Sequence, residues 1–303
     1  MSRLAKGYFI ALIGITFWSL TGVFISYLLR QYAMPALQLA FWRNLLVCVA
    51  LAPILAIRKI ALLRLPPGQF TFFLFYGLLL ALFNSIWILA VQANGAAVAT
   101  VLGYSSAGFT ALLARWFYGE KLGLPKLAAV GLSLTGLVLV SNAYSREMWQ
   151  LNPLGVSTGL LTGLLFAGYN LLGKEAASRQ INPWTALLYS FAFGALFILP
   201  LNLLPLPGAV SSVAELWPAL PPAGWLTLLT LAFIPTLLGF GLYTLSMHYL
   251  PVSIASLLAT TEPVLTAIEA YIWLGERLTV VQIAGSLIIL SAVLIVQLER
   301  EPT

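Results

Sequence analysis

The sequence predicts an all-α integral membrane protein: ten transmembrane helices arranged as two inverted five-helix repeats, with both termini in the cytoplasm. Composition points there first. Hydrophobic residues make up 61% of the chain, charged residues 8%, and mean hydropathy is +0.97, whereas soluble domains carry about 25% charged residues. Apolar runs of spanning length come second. The third observation is internal: residues 251–278 repeat 95–122 at a constant offset, aligning Ala99 with Ala255, Leu102 with Leu258, Thr110 with Thr266, Gly119 with Gly275 and Glu120 with Glu276.

A bilayer crossing takes about 20 apolar residues. Such runs lie at 7–29, 34–57, 69–93, 96–117, 124–142, 154–172, 183–204, 223–247, 251–274 and 280–298. The first is too long for the apolar part of a secretion signal and has no A-x-A site after it, so it reads as a retained span. Pro35, Pro125 and Pro183 open their helices, where a missing N–H costs little. With the N-terminus inside, the cytoplasmic loops hold Arg3, Lys6, Arg58, Lys59, Arg64, Arg115, Lys121, Lys126, Lys174, Arg179 and Arg300. The opposite side holds only Arg30, Arg146 and Arg277, an asymmetry that sets orientation.

Gly7/Gly155, Leu12/Leu160 and Pro35/Pro183 also repeat, at a second offset that places extra residues in the Pro-rich loop 204–222. The units are 1–143 and 154–298. Five spans each is an odd number, so the second unit lies upside down relative to the first. Inverted repeats are a transporter architecture, although channels use them too. The break after the fourth span of each unit, YGEKL (118–122) and LGERL (274–278), together with Thr261-Glu262-Pro263-Val264, resembles the EamA type of the drug/metabolite transporter superfamily. The likeness runs over essentially the whole chain and looks closest to bacterial aromatic amino acid exporters. It implies a multi-pass inner-membrane protein, monomer or homodimer, that moves small metabolites and needs no cofactor. The first unit departs from the pattern, with Ser106-Ala107 where the second has Glu262-Pro263.

Charge inside a span costs at least about 2.5–3.5 kcal/mol, which makes it a functional candidate by default. Arg43 and Glu269 lie at matching depths, roughly 12 Å and roughly 9 Å from the outer ends of their helices, and an Arg43–Glu269 ion pair is expected. Glu262 falls near the midplane, roughly 16 Å from the inner end, at a depth no other charge shares. Pro263 beside it removes a backbone donor and kinks the helix. Glu262 is therefore either a substrate or ion site or a neutral acid hydrogen-bonded to Thr260, Thr261 or a carbonyl. Glu120 and Glu276 follow helix-ending glycines and read as caps at the start of the next helix, with a gating role as the alternative.

Polar and aromatic residues at mid-span are expected to line a cavity: Trp18, Ser19, Asn84, Trp87, Tyr104, Ser105, Asn170 and Tyr243. That set lacks full positive charge and suits a flat, mostly apolar solute with a polar end. Trp116, Trp225 and Tyr249 read as interfacial anchors, and His248 as an interfacial, loop-facing residue paired by the repeat with Gln92. Residues 235–241, with a proline and two glycines, read as a hinge.

The chain has no Asp, one His and one Cys, which argues against an intramembrane hydrolase and a multi-ligand metal site. It contains no GxxxxGK[ST] phosphate loop, so transport is driven by the solute gradient or by an ion. The expected activity is alternating-access export of small organic metabolites, with aromatic and hydrophobic amino acids as the favoured substrates and proton-coupled export of drugs or quaternary cations as the rival.

Overall fold

A computed structural model describes residues 2–141, 143–144, 153–210, 212–274 and 279–298. These residues are α-helical with no strand among them. In order they form α1 (Arg3–Ser19), α2 (Thr21–Gln31), α3 (Ala36–Lys59), α4 (Phe70–Gly103), α5 (Ser106–Tyr118), α6 (Leu124–Val140), α7 (Pro153–Ser178), α8 (Pro183–Leu201), α9 (Pro222–Leu231), α10 (Gly241–Ser246), α11 (Val252–Ala259), α12 (Glu262–Leu274) and α13 (Val280–Leu298). A π-helical segment, Ala232–Phe240, joins α9 to α10. Gly275, Glu276, Arg277, Arg146 and Arg300 lie outside the described residues, and so does the break expected at 275–276.

Six stretches are long and apolar enough to cross a membrane: Arg3–Gln31, Ala36–Leu63, Phe70–Ala90, Gly155–Ser178, Pro183–Leu201 and Pro222–Ser246. Leu124–Val140, Val252–Thr266 and Val280–Ile295 are shorter apolar helices. Helix ends follow local chemistry. Asn182 caps α8 by accepting from the Trp184 N–H at 3.0 Å, with Pro183 in the first turn. Gly119 ends α5 in the left-handed region at φ 64°, a conformation that a residue with a Cβ adopts only under strain.

Helical residues run on from Phe70 to Gly103, so the turn between the third and fourth expected spans is made without a separate loop. The chain turns back within that run. Tyr76 and Tyr118 meet the same level of α7: a Cβ on Gly173 would stand 3.0 Å from the Tyr76 hydroxyl, and the Tyr118 hydroxyl donates to Leu171 O at 2.8 Å. A straight helix would carry the two tyrosines roughly 60 Å apart. The second unit breaks at Pro251, where the ring removes a donor. Its counterpart in the first unit is Gly95.

Other interruptions fall inside the helices and are repaired locally. Pro235 cannot donate to Leu231 O, and the Thr236 hydroxyl takes that carbonyl instead at 2.8 Å. At the α11–α12 break the hydroxyls of Thr260 and Thr261 bond Leu257 O and Leu258 O at 2.6 and 2.7 Å. Ser19 and Ser105 do the same for Thr16 O and Leu102 O, at 2.7 and 2.5 Å, beside the α1–α2 and α4–α5 breaks.

In the packing, α3 lies on α8, α4 on α7 and α8, α1 on the π segment and α10, and α6 on α13. The α6–α13 crossing is backbone-close: a Cβ on Gly136 would come 2.6 Å from Gly285 O and 2.8 Å from Ile289 Cγ1. Small residues permit such approaches between apolar helices. Gly136→Leu is therefore expected to destabilise the protein by about 1–3 kcal/mol, read as a lower melting temperature in detergent. Gly131→Leu on the same helix, where a Cβ meets nothing within 4 Å, serves as the control and should be near neutral.

Candidate functional site

Three of these helix breaks converge on one cavity of about 140 Å³. Thr21 and Gly22 follow the break at Leu20, Gly103 and Tyr104 form the α4–α5 break, and Glu262 opens α12 after Thr261. Breaks free backbone groups and open space between helices, which is why discontinuous helices form solute sites in membranes. A second space of about 50 Å³ shares Ile25, Arg43, Asn84 and Trp87, and extends to Ala36 at the start of α3.

The aromatic wall is built by packing. Trp18 lies edge-on to Phe166 at 5.6 Å between ring centroids and tilted on Phe240 at 4.7 Å, while Phe83 stacks on Phe166 at 4.9 Å. Such pairs contribute about 0.5–1.5 kcal/mol each beyond area burial. The π segment sets Phe240 in place. Its Gly239 lies so close to α1 that a Cβ would stand 3.0 Å from the Trp18 nitrogen. Residues 235–241, read from sequence as a hinge, thus dock on α1 and present one wall of the cavity.

Of the residues expected at the cavity, Trp18, Asn84, Trp87, Tyr104 and Glu262 line it. Asn170 and Tyr243 do not. They are wholly buried in a hydrogen-bonded chain in which the Tyr243 hydroxyl donates to Asn170 Oδ1 at 3.2 Å and Asn170 Nδ2 donates to Ser256 Oγ at 3.4 Å. Ser256 in turn bonds Thr110 at 3.2 Å, so the chain links α10, α7, α11 and α5. Ser105 is absent from the lining and bonds its own helix; Ser19, also absent, faces α12. The sequence reading missed Thr21, Thr100, Phe166 and Phe240. The two phenylalanines lie on helices already read as spans and carry no polar mark.

The charged residues require two corrections. Arg43 and Glu269 form no ion pair. Arg43 Nη2 donates to Asn84 Oδ1 at 3.0 Å, while Glu269 accepts from Ser19 Oγ at 2.7 Å. Nor is the cavity short of positive charge, because Arg43 lines it together with Glu262. Rise per residue gives a position along a helix but says nothing about which face a side chain occupies. Glu262 accepts a hydrogen bond from the Tyr104 hydroxyl across the two breaks, in place of the expected Thr260 or Thr261. Those threonines bond carbonyls, and Pro263 sits in the first turn of α12, where its missing donor is tolerated.

Glu120 also caps a helix other than the one expected. Residues 119–123 lie outside any helix and α6 begins after Gly123, and the Glu120 carboxylate reaches across to the start of α11. There it accepts from the Val252 N–H at 2.9 Å and from the Ser253 hydroxyl, with Lys126 Nζ at 3.5 Å. Anionic charge at that helix start is favourable. His248 stands at the α10–α11 turn with Nε2 3.3 Å from Ile181 O, and its carbonyl accepts from Arg3 at 3.0 Å. Trp116 is 80% exposed, whereas Trp225 packs on Trp42 and Trp217 at 5.3 and 5.4 Å. The side chain of Gln92 lies outside the description. Because Arg43 and Glu269 have separate partners, the effects of Arg43→Gln and Glu269→Gln on melting temperature should add, with coupling below about 0.5 kcal/mol in a double-mutant cycle.

Residues 5–142 and 153–298 each match the EamA-like transporter family. An uncharacterized transporter of Archaeoglobus fulgidus is 31% identical, over 71% of this chain and 74% of its own length. A probable amino-acid metabolite efflux pump of Salmonella typhimurium is 29% identical, over 97% of this chain and 95% of its own. A threonine/homoserine exporter of the same species is 27% identical, over 76% and 72%. A solved crystal structure superposes with a TM-score of 0.80 at 16% identity, covering 97% of both chains, a likeness of fold. With a family match over each half and a fold shared end to end, the chain belongs to the EamA-like transporter family.

Proposed function

We propose that the protein exports small organic metabolites, above all aromatic and other hydrophobic amino acids, across the bacterial inner membrane by alternating access, without ATP. The observation that carries this is the cavity at three helix breaks, apolar and aromatic on most sides, with Asn84, Arg43, Tyr104 and Glu262 supplying polar contacts. The names borne by the two Salmonella relatives support the same direction. Phenylalanine and other hydrophobic side chains suit the walls formed by Trp18, Phe166 and Phe240.

Ten spans in two inverted units are part of the proposal. In support, the family model matches twice, and the breaks at Tyr104–Ser105 and Thr260–Thr261 fall at equivalent positions of the two units. The helices that meet across the halves also pair as an inverted repeat requires: α3 with α8, α5 with α11, α6 with α13. In this arrangement Glu120 ties the first unit to the second at the cytoplasmic side, in a position to open and close with the cycle.

Export of drugs or quaternary cations fits less well. Drug-sized ligands occupy pockets of about 300–1,000 Å³, and a fixed cation would meet the Arg43 charge. The discriminating experiment is flux in proteoliposomes with tryptophan, phenylalanine, threonine and a quaternary ammonium dye, each with and without a pH gradient. Saturable amino acid flux with no dye flux is expected. Dye flux alone, driven by protons and lost in Glu262→Gln, would replace this reading with the drug exporter.

A further inference from the structure

Arg43 and Glu262 face the same cavity with opposite charges, yet no ion pair within 4.0 Å joins them. Arg43 is 6% exposed, its Nη2 bonds only the neutral amide of Asn84, and its Nε has no partner. Asn84 turns its carbonyl oxygen to Arg43, which leaves its own Nδ2 buried and unpartnered at the same wall. A buried guanidinium without an anion is costly, and the cost is recovered when an anion arrives. Its planar fork of donors matches a carboxylate, and the Asn84 amide adds another donor beside it. Glu262, held by the Tyr104 hydroxyl, offers carboxylate oxygens that can accept from an ammonium group. Trp18, Phe166 and Phe240 line the same cavity.

Resting on the amino acid reading above, we propose that Arg43 and Glu262 are the two ends of a clamp for a zwitterionic α-amino acid. The Arg43 guanidinium, with Asn84, takes the α-carboxylate; Glu262 takes the α-ammonium; the side chain lies against Trp18, Phe166 and Phe240. Specificity follows from what a lesser ligand leaves behind. An amine without the carboxylate leaves Arg43 buried and unpaired, and a carboxylic acid without the amine leaves Glu262 so. A site that needs both charges rejects a ligand carrying one. The separation of Arg43 from Glu262 is then a functional feature, since a direct ion pair between them would compete with the substrate.

The test is binding to the purified full chain of phenylalanine, phenethylamine and 3-phenylpropionate, three ligands sharing one ring and differing in the charged ends. Phenylalanine should bind at least about 100-fold more tightly than either analogue. Arg43→Gln should abolish the preference over phenethylamine and leave the preference over 3-phenylpropionate; Glu262→Gln should do the reverse. Arg43→Lys, which keeps the charge and loses the fork, should weaken phenylalanine about tenfold and retain the order of the three. If Arg43→Gln does not fold, the wild-type series and Glu262→Gln decide. Wild-type protein that binds phenethylamine as tightly as phenylalanine overturns the clamp and leaves amino acid export standing. Equal losses for all three ligands in folded variants overturn it as well. Wild-type protein that transports the dye and no amino acid overturns the clamp and the amino acid reading together.

Discussion

Inside a bilayer there is no water to satisfy a freed carbonyl or a lone charge, so each must find its partner in the protein. That constraint explains where this fold bends. At the break at Thr260–Thr261 the carbonyls of Leu257 and Leu258 accept from the backbone N–H and from the hydroxyl of the two threonines, and Leu231 O beside Pro235 accepts from the Thr236 hydroxyl. Hydroxyl-bearing residues at the breaks let the chain interrupt its helices without the usual penalty. The interruptions then make room for a cavity that unbroken helices would close.

The same constraint organises the polar residues. Asn170, Tyr243, Ser256 and Thr110 satisfy one another in a buried chain among four helices. Arg43 and Glu262, which both line the cavity, are held by neutral partners, Asn84 and Tyr104. A neutral partner holds a charged group in place without neutralising it, which leaves the charge available to a solute. Glu120 at the start of α11 is the contrast: it is engaged by a backbone donor, a hydroxyl and Lys126 at once, and such a carboxylate locks elements together.

Much of this was legible in the sequence, and the failures have identifiable causes. Proline and threonine at 260–263 announced the break in α11–α12, and the mid-span tryptophans and Glu262 announced the cavity. The pairing of Arg43 with Glu269 failed because rise per residue fixes depth and leaves azimuth open; the true partner, Asn84, is uncharged and gave no electrostatic cue. Asn170 and Tyr243 were placed at the cavity because polarity in a span marks a need for partners, not the direction in which they lie. Phe166 and Phe240 were invisible because an aromatic residue in an apolar span looks the same whether it packs or lines a site.

The central claim is that the space between Arg43 and Glu262 is where the transported solute sits. Thr100 lines that cavity, while Trp116 is exposed and not among its lining residues. The most direct measurement is the rate of maleimide labelling of Thr100→Cys in proteoliposomes, with Cys48→Ser removing the native thiol and Trp116→Cys as the reference. Phenylalanine should slow labelling at position 100, half-maximally at the concentration that half-saturates its flux, and leave position 116 unchanged. Undiminished labelling at position 100 while phenylalanine is being transported would contradict the account.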